Sequence, residues 1–328
     1  MPHDKSFWDG KRVLITGVTG FAGSWLAEKL LEIAEDIKIF GLKRENSSLE
    51  KISHIKDRIT LSNADMLDKT SLVGILKKLE PNIIFHLAAQ ASVVKGYEIP
   101  FGTFESNFVG TMNLVDSIRK SDINIEKMQF ASSSNVYGKV KAEEIPIKET
   151  QELRPNEVYG VSKAAADHLC HSYATIYDIP IVVTRAFHHE GLRCSENVVG
   201  SQIAQQIAAI INGRLGLLKL GNIELVRDFS DVRDIVIGYL SSVENGKSAE
   251  AYNLCSGKGY KIKDLINNIL TKFNIKNVKI EKDPLKIRSD EAPVIVGDNT
   301  KARKELSWDP STKFEDTLTE LINYYKSK

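Results

Sequence analysis

The first half of the chain alternates short apolar runs with longer stretches of helical periodicity, and this alternation limits the possible folds more than any other feature. Apolar residues at helical spacing predict a helix over Ser24 to Glu35. Strands that are apolar along their whole length and alternate with helices are typical of an α/β fold with a doubly wound parallel sheet. The predicted strands are Arg12 to Ile15, Ile37 to Gly41, Ile59 to Leu61, Ile83 to Leu87, Met128 to Ala131 and Ile181 to Thr184.

After about Arg185 the rhythm ends, and glycines divide the chain into shorter segments. We interpret this part as a smaller C-terminal α+β lobe, from which the chain returns to the sheet near Asp231 to Leu240 and Tyr252 to Ser256. A length of 328 residues leaves room for two domains. The predicted division is 1–185, with return segments near 228–256, for the first domain, and 186–227 with 257–328 for the second.

Composition excludes several classes of protein. The 44 Lys and Arg residues balance 43 Asp and Glu residues, so no nucleic-acid or membrane partner is expected. Three cysteines without C-x-x-C spacing exclude a disulfide framework and a cysteine zinc site. No apolar run reaches the roughly 18 residues of a membrane span, and the polar N-terminus is unlike a signal peptide. We therefore expect a soluble cytoplasmic protein.

The first predicted strand is followed by three glycines spaced G-x-x-G-x-x-G and then by a helix. Glycine permits a tight turn and a close backbone approach, while a helix N-terminus offers free N–H groups to a pyrophosphate. The strand–turn–helix context is the one in which such a turn binds a dinucleotide. The predicted cofactor contacts in this turn are Gly17, Thr19, Gly20, Phe21 and Gly23.

The ends of the next strands bear on the choice between NAD and NADP. A carboxylate there binds the adenosine ribose, whereas arginine favours a 2′-phosphate. The segment that contains Lys43, Arg44 and Glu45 carries both positive and negative charges, so it does not decide between the two cofactors. A solvated loop is the alternative interpretation of the two basic residues. We expect NAD(H) or NADP(H), with NAD(H) favoured. The further predicted contacts are Arg44, Asp65, Met66, Leu87, Ala88 and Ala89.

A tyrosine and a lysine four residues apart, Tyr159 and Lys163, share one face of a predicted helix. An ammonium beside a phenol favours the phenolate and lowers the pKa of tyrosine from about 10. Such a tyrosine exchanges a proton with an alcohol or ketone while a serine hydroxyl holds the same oxygen. The predicted catalytic residues are Tyr159, Lys163, Ser133 and Ser134, and the first two are also predicted to contact the cofactor.

Four motifs, T-G-V-T-G-F-A-G, H-L-A-A-Q-A-S-V, S-S-S-N-V-Y-G and Y-G-V-S-K, together resemble the extended short-chain dehydrogenases/reductases that act on nucleotide sugars. Later segments are similar to GDP-mannose 4,6-dehydratases and especially to GDP-4-keto-6-deoxymannose reductases: Gly221 to Asp234, Tyr252 to Gly257, and Arg288 to Pro293 with Gly297 and Asp298. The resemblance covers essentially the whole chain. It implies a Rossmann fold, a nicotinamide cofactor, a GDP-linked sugar substrate, and a homodimer or homotetramer.

The resemblance also implies residues for the substrate. Arg227 and Arg288 match arginines that hold the diphosphate, and Glu291 matches an acid that contacts the nucleoside ribose. A bidentate guanidinium suits a diphosphate. For Arg227, a salt bridge with Asp228 or Asp231 is the alternative interpretation.

Two positions depart from the family pattern. Dehydratases carry a glutamate that handles the C5 proton, and this chain has Asn135 there. A carboxamide cannot take up a proton at neutral pH, so 4,6-dehydration is not expected. His188 stands where the family usually has asparagine, and both a substrate contact and a structural histidine are consistent with it. Asn135 and His188 are kept as predicted substrate contacts. No metal site is expected, because adjacent histidines of a strand point in opposite directions.

The sequence thus predicts a nucleotide-sugar C4 oxidoreductase, either a C4 dehydrogenase or a 4-keto reductase. The expected substrate is a GDP-mannose-like sugar, a GDP-hexose or a GDP-heptose. A 4-epimerase is the leading alternative, because it needs only the same serine, tyrosine and lysine. A 4,6-dehydratase with a substituted acid comes next, and a non-catalytic nucleotide-binding regulator is the alternative from another class.

Overall fold

The computed structural model describes residues 5–287 and 291–328. Seven strands form one parallel sheet: β1 (Arg12–Thr16), β2 (Lys38–Lys43), β3 (Ile59–Asn63), β4 (Ile83–His86), β5 (Lys127–Ala131), β6 (Ile181–Ala186) and β10 (Ala251–Leu254). Their order is β3–β2–β1–β4–β5–β6–β10. The order changes direction between β1 and β4, which opens a crevice at the carboxyl ends of these strands.

Helices cover both faces of this sheet. The helices are α1 (Lys5–Trp8), α2 (Phe21–Ile33), α3 (Lys69–Leu79), α4 (Val93–Glu98), α5 (Pro100–Phe104), α6 (Gly110–Ser121), α7 (Val158–Ile176), α8 (Val199–Ile211), α9 (Val232–Asn245), α10 (Ile262–Lys272), α11 (Thr300–Leu306) and α12 (Phe314–Lys326). One core contains apolar residues of α2, α9 and α11, and the other contains residues of α3, α6 and α7. Val13 and Ile15 enter the first core and Leu14 the second, which is why β1 is apolar throughout.

The later part of the chain forms two smaller sheets. β9 (Val226–Asp231) pairs with β7 (His188–Glu190), β11 (Gly259–Lys261) and β13 (Val294–Ile295), and β8 (Leu217–Leu220) pairs with β12 (Lys279–Lys282). Apolar residues of α8, α10 and α12 form a third core with these strands. Phe229 of β9 stacks on Phe314 of α12, with ring centroids 4.4 Å apart. This contact fixes β9, which carries Arg227, against the C-terminal helix.

The predicted fold class is confirmed, and each of the six predicted strands is present. The strand ends differ from the prediction by one or two residues, and two further differences concern a helix start and the return of the chain to the sheet. The helix α2 begins at Phe21 and not at Ser24, because the turn ends at Gly20. The chain returns to the sheet near residue 231 as the helix α9, while the strand that precedes it belongs to the smaller sheet. Within 5–287 and 291–328, no helix combines the length and the apolar character that a membrane span requires.

Candidate active site at the carboxyl ends of the strands

The glycine turn between β1 and α2 leaves no room for side chains at two of its glycines. Gly17 has φ +73°, and a Cβ there would lie 2.9 Å from the backbone nitrogen of Ala88. A Cβ on Gly23 would lie 2.3 Å from the carbonyl oxygen of Gly17. Gly20 is the N-cap of α2, and no side chain caps the first turn. This cradle of backbone N–H groups fits the pyrophosphate of a dinucleotide. Thr19, within the turn, is partly exposed.

A buried histidine joins the turn to β4. His86 Nδ1 lies 2.7 Å from the hydroxyl of Thr16, and Nε2 lies 3.0 Å from the hydroxyl of Thr111. Burial and, to a smaller extent, the charge of Lys163 lower the pKa of His86 to about 3, so the imidazole is neutral. The Thr16 hydroxyl also accepts hydrogen bonds from the backbone of Leu87 and Ala88, at 3.2 and 3.1 Å. These two residues, followed by Ala89, therefore lie against the glycine turn.

The other predicted cofactor residues follow β2 and β3 at the same edge of the sheet. Arg44 is exposed, and its carbonyl accepts a hydrogen bond from Lys43 Nζ. Asp65 is exposed and accepts a hydrogen bond from the backbone of Leu67 at 2.9 Å. The carbonyl of Met66 accepts one from Asn113 Nδ2 at 3.0 Å, which ties this segment to α6. Cofactor binding by Arg44, Asp65 and Met66 stays a prediction.

The first turns of α7 carry the predicted catalytic tyrosine and lysine. Lys163 is buried, and its Nζ lies 4.5 Å from the ring centroid of Phe130. Burial lowers the pKa of Lys163 to about 8. Burial raises the pKa of Tyr159, a hydrogen bond with Ser133 lowers it, and the charge of Glu157 raises it again, for a net increase. The expected decrease is therefore not found, because desolvation has the largest effect on the pKa of Tyr159.

The three consecutive serines after β5 face different partners. Ser132 donates a hydrogen bond to Asp167 at 2.7 Å, away from the tyrosine, whereas Ser133 bonds to Tyr159. Ser134 is partly exposed and begins a short 3₁₀ turn. The backbone N–H of Asn135 donates to Ser133 Oγ at 3.2 Å, and Ser133 Oγ lies 3.4 Å from Asn135 Oδ1. Ser133 is thus the member of the triplet that meets the tyrosine.

The structure adds a residue that the sequence analysis did not single out. Glu157, the N-cap of α7, accepts hydrogen bonds through Oε1 from the backbone of Gly160 at 2.7 Å and from Asn135 Nδ2 at 3.1 Å. Its side chain is buried beside Tyr159. The available signal was a glutamate at a helix start, where serine, threonine, aspartate or asparagine is preferred.

The predicted substrate residues lie on and around β9. Arg227 is buried and faces Tyr260 of β11 and Ile295 of β13 across the sheet. The sequence offered Asp228 and Asp231 as alternative salt-bridge partners of Arg227. In the described residues, Asp231 accepts a hydrogen bond from Arg233. Asp228 accepts hydrogen bonds from Ser256, Gly257 and Gly297. Glu291 is partly exposed. Arg288 lies outside the described residues.

The two adjacent histidines of β7 have different surroundings. His188 is exposed and meets Phe229 edge-on at 5.4 Å. His189 stacks on Phe21 at the start of α2, with ring centroids 6.0 Å apart, so His189 is the histidine that contacts the glycine-turn helix. In the described part of the chain, no cluster of three or more His, Cys, Asp or Glu side chains could hold a metal ion.

Comparison with known proteins agrees with this geometry. The family model for GDP-mannose 4,6 dehydratase matches residues 14–321. The chain is 28% identical to the GDP-6-deoxy-D-mannose reductase of Pseudomonas aeruginosa, covering 97% of this chain and 98% of that protein. It is 30% identical to the GDP-mannose 4,6-dehydratase of Sinorhizobium fredii, covering 96% of both.

A solved structure, that of RMD from Pseudomonas aeruginosa complexed with NADPH, superposes with a TM-score of 0.82 at 27% identity, covering 97% of this chain and 99% of the other. The match extends over both the large sheet and the smaller sheets, since nearly the whole of each chain is aligned. The chain therefore belongs to the GDP-mannose 4,6-dehydratase family of extended short-chain dehydrogenases/reductases, and it is an NAD(P)-dependent enzyme acting on a nucleotide sugar.

Proposed function

We propose that this chain transfers hydride at C4 of a GDP-linked, manno-configured hexose or heptose, as a 4-keto reductase or a C4 dehydrogenase. The observation that carries the proposal is the contact between Ser133 and Tyr159 beside an amide, Asn135, where a dehydratase has a carboxylate. The nicotinamide ring supplies or accepts the hydride when the cofactor is bound. The residues of the chain have to bind the sugar, orient O4 and move its proton.

Tyr159 is the residue that moves this proton. In the reducing direction its hydroxyl donates the proton to O4 as C4 becomes tetrahedral, and in the oxidising direction the phenolate removes it. Lys163 lies one helical turn away and carries a positive charge at neutral pH, which stabilises the phenolate. Ser133 donates a hydrogen bond to the same oxygen and fixes it against the tyrosine.

Asn135 limits the reaction to this redox step. Loss of water across C5 and C6 requires a base for the C5 proton, and an amide cannot serve as that base at neutral pH. We therefore assign no dehydration to the chain.

The substrate half of the proposal places the sugar nucleotide on residues 186–227 and 257–328, and the cofactor on 1–185 with the return segments near 228–256. Arg227 and Arg288 would hold the diphosphate and Glu291 the ribose. The names of the relatives support guanosine as the nucleoside. A homodimer or homotetramer and a preference for NAD(H) remain predictions. The exposed Arg44 also suits the 2′-phosphate of NADP(H), so both cofactors belong in the assay.

The test is turnover of GDP-4-keto-6-deoxymannose with NADH and with NADPH in deuterated water, followed by product analysis. We expect oxidation of the reduced cofactor, a C4 alcohol as product and no deuterium at C5. Tyr159→Phe should lower kcat by about 10²-fold or more. Deuterium at C5 with loss of water from a GDP-hexose would contradict the C4-only assignment. Interconversion of two C4 epimers without net cofactor oxidation would identify an epimerase.

A further inference from the structure

Glu157 has no part in the reaction described above, although it lies within the site. The residue is 9% exposed, and Oε2 is buried with no hydrogen-bond partner among the described residues. Burying a carboxylate oxygen without a donor costs free energy. A serine or an aspartate would cap α7 at lower cost. Capping alone therefore does not account for a glutamate at this position.

The other carboxylate oxygen selects the orientation of Asn135. A carboxylate only accepts hydrogen bonds, so the amide nitrogen of Asn135 faces Glu157 and the amide oxygen faces away. The amide oxygen then lies 3.4 Å from the hydroxyl of Ser133, which bonds to Tyr159. If the amide were turned over, its oxygen would face the carboxylate and its NH₂ group would face Ser133.

We propose that Glu157 is a positioning residue for the C4 redox reaction: it fixes the amide of Asn135, and the amide oxygen holds the hydroxyl of Ser133 until the sugar oxygen replaces it as the acceptor. The inference rests on the proposed function, in which Ser133 orients O4. It identifies a carboxylate that acts through two neighbours and does not itself reach the substrate.

Two matched variants separate this role from capping. Glu157→Ser retains a preferred N-cap for α7 but is too short to reach the amide of Asn135. Glu157→Gln retains an oxygen that accepts from both Asn135 and Gly160. We expect Glu157→Ser to lower kcat about tenfold, the effect of losing one hydrogen bond to a charged group, with KM changed less than about twofold. Glu157→Gln should recover most of this loss.

Equal kcat in Glu157→Ser and the wild type would overturn the inference, as would equal losses in the two variants. Asn135→Ala removes the same contact from the other side and serves if Glu157→Ser does not fold. Glu157→Asp also retains a preferred N-cap and is too short to reach residue 135, so it should lower kcat on its own. Added to Asn135→Ala it should change kcat little, because the two residues act through one contact. Independent, multiplying losses would contradict the proposal.

A substrate-free measurement distinguishes this inference from the proposed function. Tyr159 ionisation can be followed by ultraviolet difference titration, with Tyr159→Phe as the blank. Both Glu157 variants lose the carboxylate charge, but only Glu157→Ser releases Asn135 and Ser133. A Ser133 hydroxyl released from Asn135 can donate to the Tyr159 phenolate, and this hydrogen bond lowers the pKa of Tyr159. Tyr159 should therefore titrate at lower pH in Glu157→Ser than in Glu157→Gln. Identical titrations would refute the positioning role, whatever sugar the enzyme uses.

Discussion

Replacing Asn135 by glutamate would introduce the acid that the proposed function expects of a dehydratase at this position, and it would also bring two carboxylates together. In the structure Asn135 Nδ2 lies 3.1 Å from Glu157 Oε1. At this distance, with an effective dielectric constant of about 20, two negative charges repel by about 5 kcal/mol. Protonating one carboxyl at about pH 7 costs about 3.7 kcal/mol, from a reference pKa of about 4.3 and 1.36 kcal/mol per pH unit. Protonation is cheaper, so we expect the pair to take up one proton.

The stability of Asn135→Glu should therefore depend on pH. The pKa of the shared carboxyl is raised in the folded state. The free energy of unfolding of Asn135→Glu is therefore retained below about pH 4.3 and decreases as the pH rises. Relative to Asn135→Gln, the free energy of unfolding should fall by about 1 kcal/mol at about pH 5 and by up to about 3.7 kcal/mol at about pH 7. The second value is an upper limit, because Asn135 is partly exposed and solvent screens the repulsion.

Urea unfolding of both variants at about pH 5, 6 and 7 measures this slope, which approaches about 1.4 kcal/mol per pH unit. Asn135→Glu combined with Glu157→Gln is the control, since it removes the second charge and should remove the slope. A difference between Asn135→Glu and Asn135→Gln that does not vary with pH would refute the reasoning. It would mean that the two side chains do not meet in the folded protein.

Three other substitutions test neighbouring parts of the site. Glu157→Gln removes a negative charge that raises the pKa of Tyr159. Ketone reduction needs the protonated tyrosine, so on the alkaline side kcat should begin to fall at a lower pH than in the wild type. Lys163→Met should lower kcat at least about tenfold. It should also stabilise the fold at neutral pH, because burial of the charged lysine lowers its pKa to about 8. Thermal unfolding should show this gain in stability shrinking as the pH rises from about 8 to about 10. Gly23→Ala would press a Cβ against the carbonyl of Gly17, and calorimetric titration should show cofactor Kd raised at least about tenfold.

The large sheet could be predicted from the sequence because its strands are buried on both faces. Val13, Leu14 and Ile15 enter two different cores, so β1 reads as one continuous apolar run. The glycine turn could also be predicted from the sequence, because its three glycines lie within seven residues and a side chain at Gly17 or Gly23 would clash with the backbone. Both features leave a signal within a short stretch of sequence, although the contacts that require them reach residues as distant as Ala88.

The contacts that arrange the catalytic groups could not be predicted in the same way. Asn135 and Glu157 are 22 residues apart, and they meet only because the 3₁₀ turn after β5 packs against the start of α7. The three serines after β5 look alike in the sequence, and only the folded structure shows that Ser132 bonds to Asp167 of α7. The direction of the Tyr159 pKa shift depends on burial, which the spacing of Tyr159 and Lys163 does not reveal.

The position of β10 at the edge of the large sheet has a consequence for synthesis of the protein. Six strands of the sheet are complete at Ala186, but the strand that covers β6 begins only at Ala251, after the whole of β7, α8, β8, β9 and α9. At about 5–20 residues per second, the ribosome needs roughly 3–13 seconds to make this interval. During that time a nascent chain that has already formed its nucleotide cradle exposes the unpaired backbone of β6, the kind of edge on which other chains add strands. The period in which this edge is exposed in the growing chain therefore ends only when β10 pairs with β6.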